Sequence, residues 1–227
     1  MAASRRVQTD FDEIALLPGG FDHNAYYHEF LLRALPLRMN EALDLGCGTG
    51  QFSRLLAART GRVICLDFAT NMIAIARRES AAFPNIDFLQ TDALSWEWPV
   101  DRLDAIVSIA TLHHLPTEAV LGKMKAALRP GGTLAVLDLR RSASRGGRLL
   151  QGAVALPWSV LLNLRHTGRV RPEHEVRRAW AEHGKGDRYL SIDEVREVCR
   201  SVLPGARIRR HLLWRYSLIW RKSLEKC

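Results

Sequence analysis

The stretch ALDLGCGTG, residues 42–50, carries a short apolar run to an aspartate and then sets three glycines at alternate positions. That order predicts a strand, a tight turn and a helix starting near Gln51. Gly46, Gly48 and Gly50 lack the Cβ that disfavours positive φ and that would collide with a ligand laid against the backbone. The first N–H groups of the helix have no intrahelical partner and face the same space. A small anionic or zwitterionic ligand is expected there. The spacing is GxGxG, and Gln51 stands where a dinucleotide fingerprint would need its third glycine. On its own the turn would also suit a plain strand-to-helix connection.

The next strand ends narrow the choice. RVICL, residues 62–66, closes on Asp67, about 20 residues beyond the first glycine, where an acid at the tip of the second strand of an open α/β sheet can accept ribose hydroxyls. A further strand-like piece, 87–90, leads into Thr91-Asp92-Ala93. Acids ending three successive strands are poorly explained as solvated surface. With these residues in view, the stretch 41–139 resembles the core of the class I S-adenosylmethionine-dependent methyltransferases, in their small-molecule branch. LDLGCGTG at 43–50 is similar to the family's first motif, LD at 66–67 to its second, TDA at 91–93 to its adenine-contacting turn, and LRPGG at 128–132 to the turn before its fifth strand. The resemblance covers a little under half the chain, is specific for cofactor and fold, and says little about substrate.

That resemblance implies a Rossmann-like, seven-stranded α/β methyltransferase sheet in a single domain, 1–227. It divides into an N-terminal helical segment (1–40), a cofactor-binding core (41–140), a helical cap inserted after the fifth strand (141–190), and a last helix with a terminal strand hairpin (191–227). It implies S-adenosyl-L-methionine as cofactor, with the turn at Gly46, Cys47, Gly48 and Gly50 holding the methionine end. Asp44 would support its amino group, and Asp67, followed by Phe68, would take the ribose hydroxyls. Met72 would lie against the adenine, Asp92 and the Ala93 N–H would meet its edge, and Ile109 would close the fourth strand beneath the methionine part.

Bulk properties agree with one soluble domain. A chain of 227 residues that is 47% hydrophobic can bury a core. The start lacks a charged segment followed by an apolar one, and no apolar stretch is long enough to span a bilayer, so a cytoplasmic protein is expected. Cysteines 47, 65, 199 and 227 show neither CxxC nor Cys/His zinc spacing, so reduced thiols and no metal are expected. The formal charge of +9 is uneven: 1–139 holds 13 Lys+Arg against 16 Asp+Glu, whereas 140–227 holds 20 against 8. Such a basic half suits nucleic acid, an anionic surface or an acidic substrate, and equally an arginine-rich solvated face.

Along the chain, the first eight residues read as frayed, and the segment from Asp10 as a short helical turn ended by Pro18-Gly19-Gly20. Asp22 can cap a helix whose apolar positions are Tyr27, Phe30, Leu31, Ala34 and Leu35. His23, Tyr26, Tyr27 and His28 crowd its first turn and are candidates for the acceptor-binding wall, against the alternative of ordinary packing on the sheet. Helices are expected at 52–59, ended by Gly61, and at 70–80. LDAIVSI, 103–109, reads as a central parallel strand covered on both faces. His113 and His114 follow it and are candidate general bases, with a neutral-range pKa in their favour. A helix at 118–128, a strand at 133–139 and a helix at 192–201, capped by Ser191 and Glu194 in a capping box, come next. Strands at 206–214 and 216–222 close the chain.

Within the insertion, LLQGAVALPWSVLLNL at 149–164 is too apolar for an ordinary exposed helix, and Pro157 should break or kink it. Arg145, Arg148, Arg165, Arg169 and Arg171 flank it. An apolar wall with an arginine rim suits a lipophilic acceptor touching Trp158, and would also serve a homodimer interface or a membrane-surface contact. The leading functional expectation is methyl transfer to a small, lipophilic organic molecule. RNA or protein methylation draws on the basic C-terminal half, but no appended RNA-binding module accompanies it, and SIAT stands after the fourth strand where an NPPY-like tetrapeptide would. The third reading is a non-catalytic, cofactor-binding partner protein.

Overall fold

The computed structural model describes residues 2–17, 22–141, 145–171 and 173–224. The Pro18-Gly19-Gly20 breaker and Cys227 lie outside the described residues, as do the side chains of Arg145 and Arg148. Seven strands form one sheet: β1 (Met39–Leu45), β2 (Thr60–Asp67), β3 (Ile86–Gln90), β4 (Leu103–Ile109), β5 (Leu128–Leu139), β6 (Arg207–Arg210) and β7 (Arg215–Arg221), in the order β3-β2-β1-β4-β5-β7-β6. The first five run parallel, and β7 enters antiparallel between β5 and β6. The strand order reverses direction between β1 and β4. Open α/β sheets bind ligands outside the carboxyl ends of the strands at such a point.

Helices α3 (Gln51–Ala57), α4 (Thr70–Glu79), α5 (Thr117–Ala127) and α8 (Ile192–Val202) cover the faces of the sheet, and α2 (His28–Ala34) leads into β1. Central strands read as continuous apolar runs because both faces are covered; Ala105, Ile106 and Val107 of β4 are fully buried. One core layer joins Leu43, Ile106, Leu134 and Leu218 to α5 and α8, and the other joins Val63, Val107 and Ala135 to α2 and α3. The capping box at Ser191 and Glu194 is present.

Four local expectations are corrected. The first residues form a 13-residue helix, α1 (Ala2–Ile14), because side chains lock it down from outside: Asp12 accepts from Asn71 N at 2.7 Å, and Gln8 Nε2 donates to the Phe68 carbonyl at 2.9 Å. Gly61 does not end α3, which stops at Ala57; it sits in β2, where a Cβ would meet the Asn40 carbonyl at 3.0 Å. The segment 128–132 is not a turn before β5 but an irregular start of that strand, with a register shift against β4 and Gly131 at φ 78°. Pro157 does not break the long cap helix α6 (Arg145–Thr167). The ring deprives the Ala153 carbonyl of its helical partner, and both residues are exposed, so water can replace the lost bond.

The cap comprises α6 and α7 (His174–His183), and its ends meet where Arg141 N donates to the Leu190 carbonyl at 2.9 Å. At the opposite edge of the sheet Asp104 ties three strands together. It accepts from Asn40 N at 2.5 Å and Glu41 N at 3.0 Å, and pairs with Arg129. Asp104→Ala strands two backbone donors at the start of β1, and is expected to cost about 2–4 kcal/mol in urea denaturation with unchanged cofactor affinity.

Candidate active site

The glycine turn has the geometry its sequence requires. Gly46, Gly48 and Gly50 take φ of 72°, 52° and 75°. The turn is pinned to β2 by Gly46 N and Cys47 N, both donating to the Leu66 carbonyl. A Cβ at Gly46 would stand 2.0 Å from Thr111 Oγ1, whereas one at Gly48 would meet nothing within 4 Å. The first glycine is therefore needed for packing and the second faces open space where a ligand can approach. Asp67 bridges the turn and the end of β2: Oδ2 accepts from Gly48 N at 2.9 Å and Oδ1 from Ala69 N at 3.0 Å. Burial raises its pKa, partly offset by those N–H donors.

Asp44 lies beneath the turn, buried, and accepts from Ser53 Oγ at 2.6 Å. Its pKa is pushed up to about 7 by burial, reinforced by the neighbouring Asp67 carboxylate and opposed by the Ser53 hydroxyl. Burial and the adjacent Cys65 likewise hold the Cys47 thiol protonated. Asp92 caps its own loop, accepting from Leu94 N at 2.8 Å, and the Ala93 carbonyl accepts from Trp98 Nε1 at 2.9 Å. Trp98 packs edge-on against Trp96, 5.1 Å between rings, on the flank of the sheet. Phe68 follows Asp67, Met72 is buried on α4, and Ile109 closes β4. These residues share the carboxyl edge of β1, β2, β3 and β4, and the open face of Gly48 with the nearby carboxylates suits a ligand such as S-adenosylmethionine.

Beyond Ile109 the chain turns sharply at Ala110, φ 51°, held by its N–H to the Leu137 carbonyl, and a short 3-10 turn spans Leu112–His114. His113 Nδ1 lies 2.6 Å from Asp138 Oδ1, which fixes the proton on Nδ1 and presents Nε2 outward. The His113 and His114 rings are 3.9 Å apart. Asp187, from the cap, reaches both: its Oδ2 is 3.8 Å from His113 Nε2 and its Oδ1 is 3.4 Å from His114 Nδ1. Tyr189 donates to Asp187 at 2.6 Å, and burial and that carboxylate raise the pKa of the phenol. His183 Nδ1 meets Asp10 of α1 at 3.1 Å, and Phe11 packs on both His114 and His183. His114 has its pKa lowered to about 3 by burial and then by His113.

The N-terminal candidates divide. His23 Nε2 lies 2.6 Å from Ser159 Oγ of α6, and Tyr26 packs edge-on toward Trp158 at 6.2 Å, so both meet the cap. Tyr27 is buried, with its hydroxyl on the Leu212 carbonyl at 3.0 Å and its ring near His211. His28 is buried against Phe52, 5.0 Å between rings, beside the first turn of α3. Sequence reasoning missed Asp138, Asp187, Tyr189 and His183. Asp138 closes β5 as Asp67 closes β2, a pattern that could have marked it. The metal expectation rested on cysteine spacing, which does not bear on a cluster of histidine and aspartate side chains drawn from separate segments.

Comparison with known proteins identifies the fold. A family described as a methyltransferase domain matches residues 42–132. An uncharacterized methyltransferase of Mycobacterium bovis is 31% identical over 199 residues, covering 87% of this chain and 95% of that one. The 2-phytyl-1,4-naphtoquinone methyltransferase of Thermosynechococcus vestitus is 37% identical over 131 residues, covering 56% of this chain and 58% of that one. The N-methyltransferase NodS of Bradyrhizobium japonicum, solved with S-adenosyl-L-homocysteine, superposes with a TM-score of 0.65 at 18% identity over 95% of this chain and 98% of that one.

Asp44 gives a pH test. Its folded pKa of about 7 exceeds the model-peptide value near 4, so between them the folded state binds the extra proton and the contribution of Asp44 to stability falls as pH rises. The burial of neutral His114 acts in the opposite sense over pH ~3 to ~6.5. The informative quantity is therefore a difference. Asp44→Asn keeps the Ser53 contact, and its stability relative to wild type in urea melts is expected to increase steadily from pH ~4 to ~7.

Proposed function

The chain belongs to the class I S-adenosylmethionine-dependent methyltransferases, and we propose that its acceptor is a small, lipophilic organic molecule held between the cap and the N-terminal aromatic segment. When bound, the cofactor supplies a methyl group made electrophilic by its sulfonium. The protein's own task is to orient the two reactants and keep water out. The observation that carries the acceptor reading is the inner face of α6. Ala155, Trp158, Ser159 and Leu162 pack inward, and Trp158 Nε1 is buried with no hydrogen-bond partner. A buried donor without a partner costs about 1–3 kcal/mol, and an oxygen on an otherwise apolar guest would relieve it. The similarity over half the chain to a naphtoquinone methyltransferase supports the same class.

In this reading Asp67 would meet the ribose, the glycine turn and Asp44 the methionine end, and the pair His113 and His114 the end where the acceptor must lose any proton it carries. The outer face of α6 exposes Leu156, Val160, Leu161 and Leu164 beside Arg165 and Arg169. We read it as a contact surface for a second copy or an anionic membrane. Among the described residues no helix is long and apolar enough to cross a membrane. A cytoplasmic site of action fits the buried free thiols of Cys47, Cys65 and Cys199.

Three measurements test this reading. Asp67→Ala is expected to weaken S-adenosylmethionine binding by roughly 1.5–3 kcal/mol, more than tenfold, in calorimetry; wild-type protein that binds neither the cofactor nor its demethylated product refutes the reading. His113→Asn is expected to lower turnover by about 10²- to 10⁴-fold with cofactor affinity nearly intact, read as release of S-adenosylhomocysteine with quinol-like acceptors. Proteolysis within 145–190 should slow when demethylated cofactor and acceptor are both present. Protection that follows protein concentration alone, or anionic liposomes alone, assigns the cap to an interface instead.

A further inference from the structure

His113, His114 and Asp187 have side chains only 5%, 9% and 4% exposed, and each can offer a ligand atom such that the three atoms lie within 4.8 Å of one another. Their separations are informative. His113 Nε2 to Asp187 Oδ2 is 3.8 Å, and His114 Nδ1 to Asp187 Oδ1 is 3.4 Å. Both exceed good hydrogen-bond length. The 3.4 Å separation equals the edge of a coordination tetrahedron, about 3.3–3.4 Å for ligand bonds of 2.0–2.1 Å, and the 3.8 Å one, to the other carboxylate oxygen, is a few tenths of an ångström longer. His114 Nε2, moreover, is buried with no hydrogen-bond partner, so no second contact fixes which nitrogen of that ring carries the proton.

The surrounding groups are those that orient metal ligands. A ligating histidine characteristically donates its other N–H to a carboxylate. His113 does so to Asp138 at 2.6 Å, leaving the Nε2 lone pair aimed at the cluster, and Tyr189 steadies Asp187 with a 2.6 Å hydrogen bond. His183 repeats the arrangement: Nδ1 meets Asp10 at 3.1 Å, and Nε2 lies 3.7 Å from Asp187 Oδ2. Two imidazoles and one carboxylate, with a third imidazole beside them, suit a divalent transition ion such as Zn²⁺ rather than Mg²⁺ or Ca²⁺, which take oxygen ligands.

We propose that His113, His114 and Asp187 form a binding site for a divalent transition-metal ion at the acceptor end of the cleft. Three protein ligands leave coordination open, the feature that separates catalytic from structural ions, and an acceptor oxygen or sulfur bound there would give up its proton more readily. The functional half of this inference rests on the methyl-transfer reading; the binding half does not. Because two ligands come from the core and the third from the cap, the ion would also fasten the cap over the site.

The test uses untagged full-length protein, freed of metal with a chelator and titrated with Co²⁺, followed by visible ligand-field absorption and by calorimetry. One equivalent is expected to bind, with a spectrum of four- or five-coordinate nitrogen and oxygen ligation that Zn²⁺ abolishes. Asp187→Asn and His114→Gln are expected to remove the spectrum, and Asp138→Asn, which alters the carboxylate behind His113 and keeps an oxygen for the Leu139 N–H, to weaken binding by about 10- to 100-fold. S-adenosylhomocysteine affinity, measured in parallel, shows that each variant is folded. Wild-type protein that takes up no stoichiometric Co²⁺, or folded variants that bind it as wild type does, overturns the site. Loss of S-adenosylhomocysteine binding by the wild type would instead overturn the methyl-transfer reading and leave the Co²⁺ result standing.

Discussion

Gly46 cannot carry a side chain, because Thr111 Oγ1 occupies the place where its Cβ would be. That contact brings the turn after β1 against the turn after β4. The first is the glycine turn and the second carries His113 and His114, so their close approach sets the distance between the turn and the imidazoles. The parallel register of β1 on β4, Leu45 against Ser108, delivers the two turns side by side at the sheet's carboxyl edge. A Cβ here would force the loops apart by more than a bond length. Under the proposed function, in which proximity of reactants matters most, this packing constraint would also be a catalytic one.

Electrostatics at the site follow from the same closeness. Asp44 is buried and Asp67 half-buried near the glycine turn; burial raises the pKa of both, with the Asp67 carboxylate adding to the shift of Asp44 and Asp12 adding to that of Asp67. Backbone N–H groups from Gly48 and Ala69 offset this at Asp67, whereas Asp44 has the Ser53 hydroxyl. The two acids therefore meet a ligand in different states of readiness, one already bridged to the backbone and the other holding a proton near neutrality. If Asp44 supports the cofactor's amino group as proposed, a cationic ammonium arriving there would displace that proton and link cofactor capture to pH.

Much of the fold was legible because its signals are local. Three positive-φ glycines, an apolar run covered on both faces at 103–109, and the Ser191 and Glu194 capping pair each specify a conformation within a few residues. The placement of Asp67 and Asp92 at strand ends was legible for the same reason. The polar cluster around His113 and His114 was not. Asp187 and Tyr189 come from the cap, Asp138 from β5 and Asp10 from α1; of these Asp138 alone carries a local mark, its place near a strand end, and only the folded chain brings them to His113 and His114. The polar first residues gave no periodic signal strong enough for a helix, and tertiary contacts through Gln8, Asp12 and Phe11 supply what intrinsic propensity does not. Pro157 misled in the other direction, because a helix exposed at that turn loses one bond to water rather than its continuity.

The contact between Asp10 and His183 spans 173 residues of chain. During synthesis α1 leaves the ribosome first, yet the cap segment that holds it is made only after β5. The first helix therefore has no complete docking surface until most of the protein exists. Closing so long a loop is entropically slow compared with forming the local βα units. The sheet with its glycine turn can thus assemble as an early folding unit, with α1 and the cap settling onto it together as a late one. The glycine turn would then be structurally mature before Asp187 of the cap reaches His113 and His114.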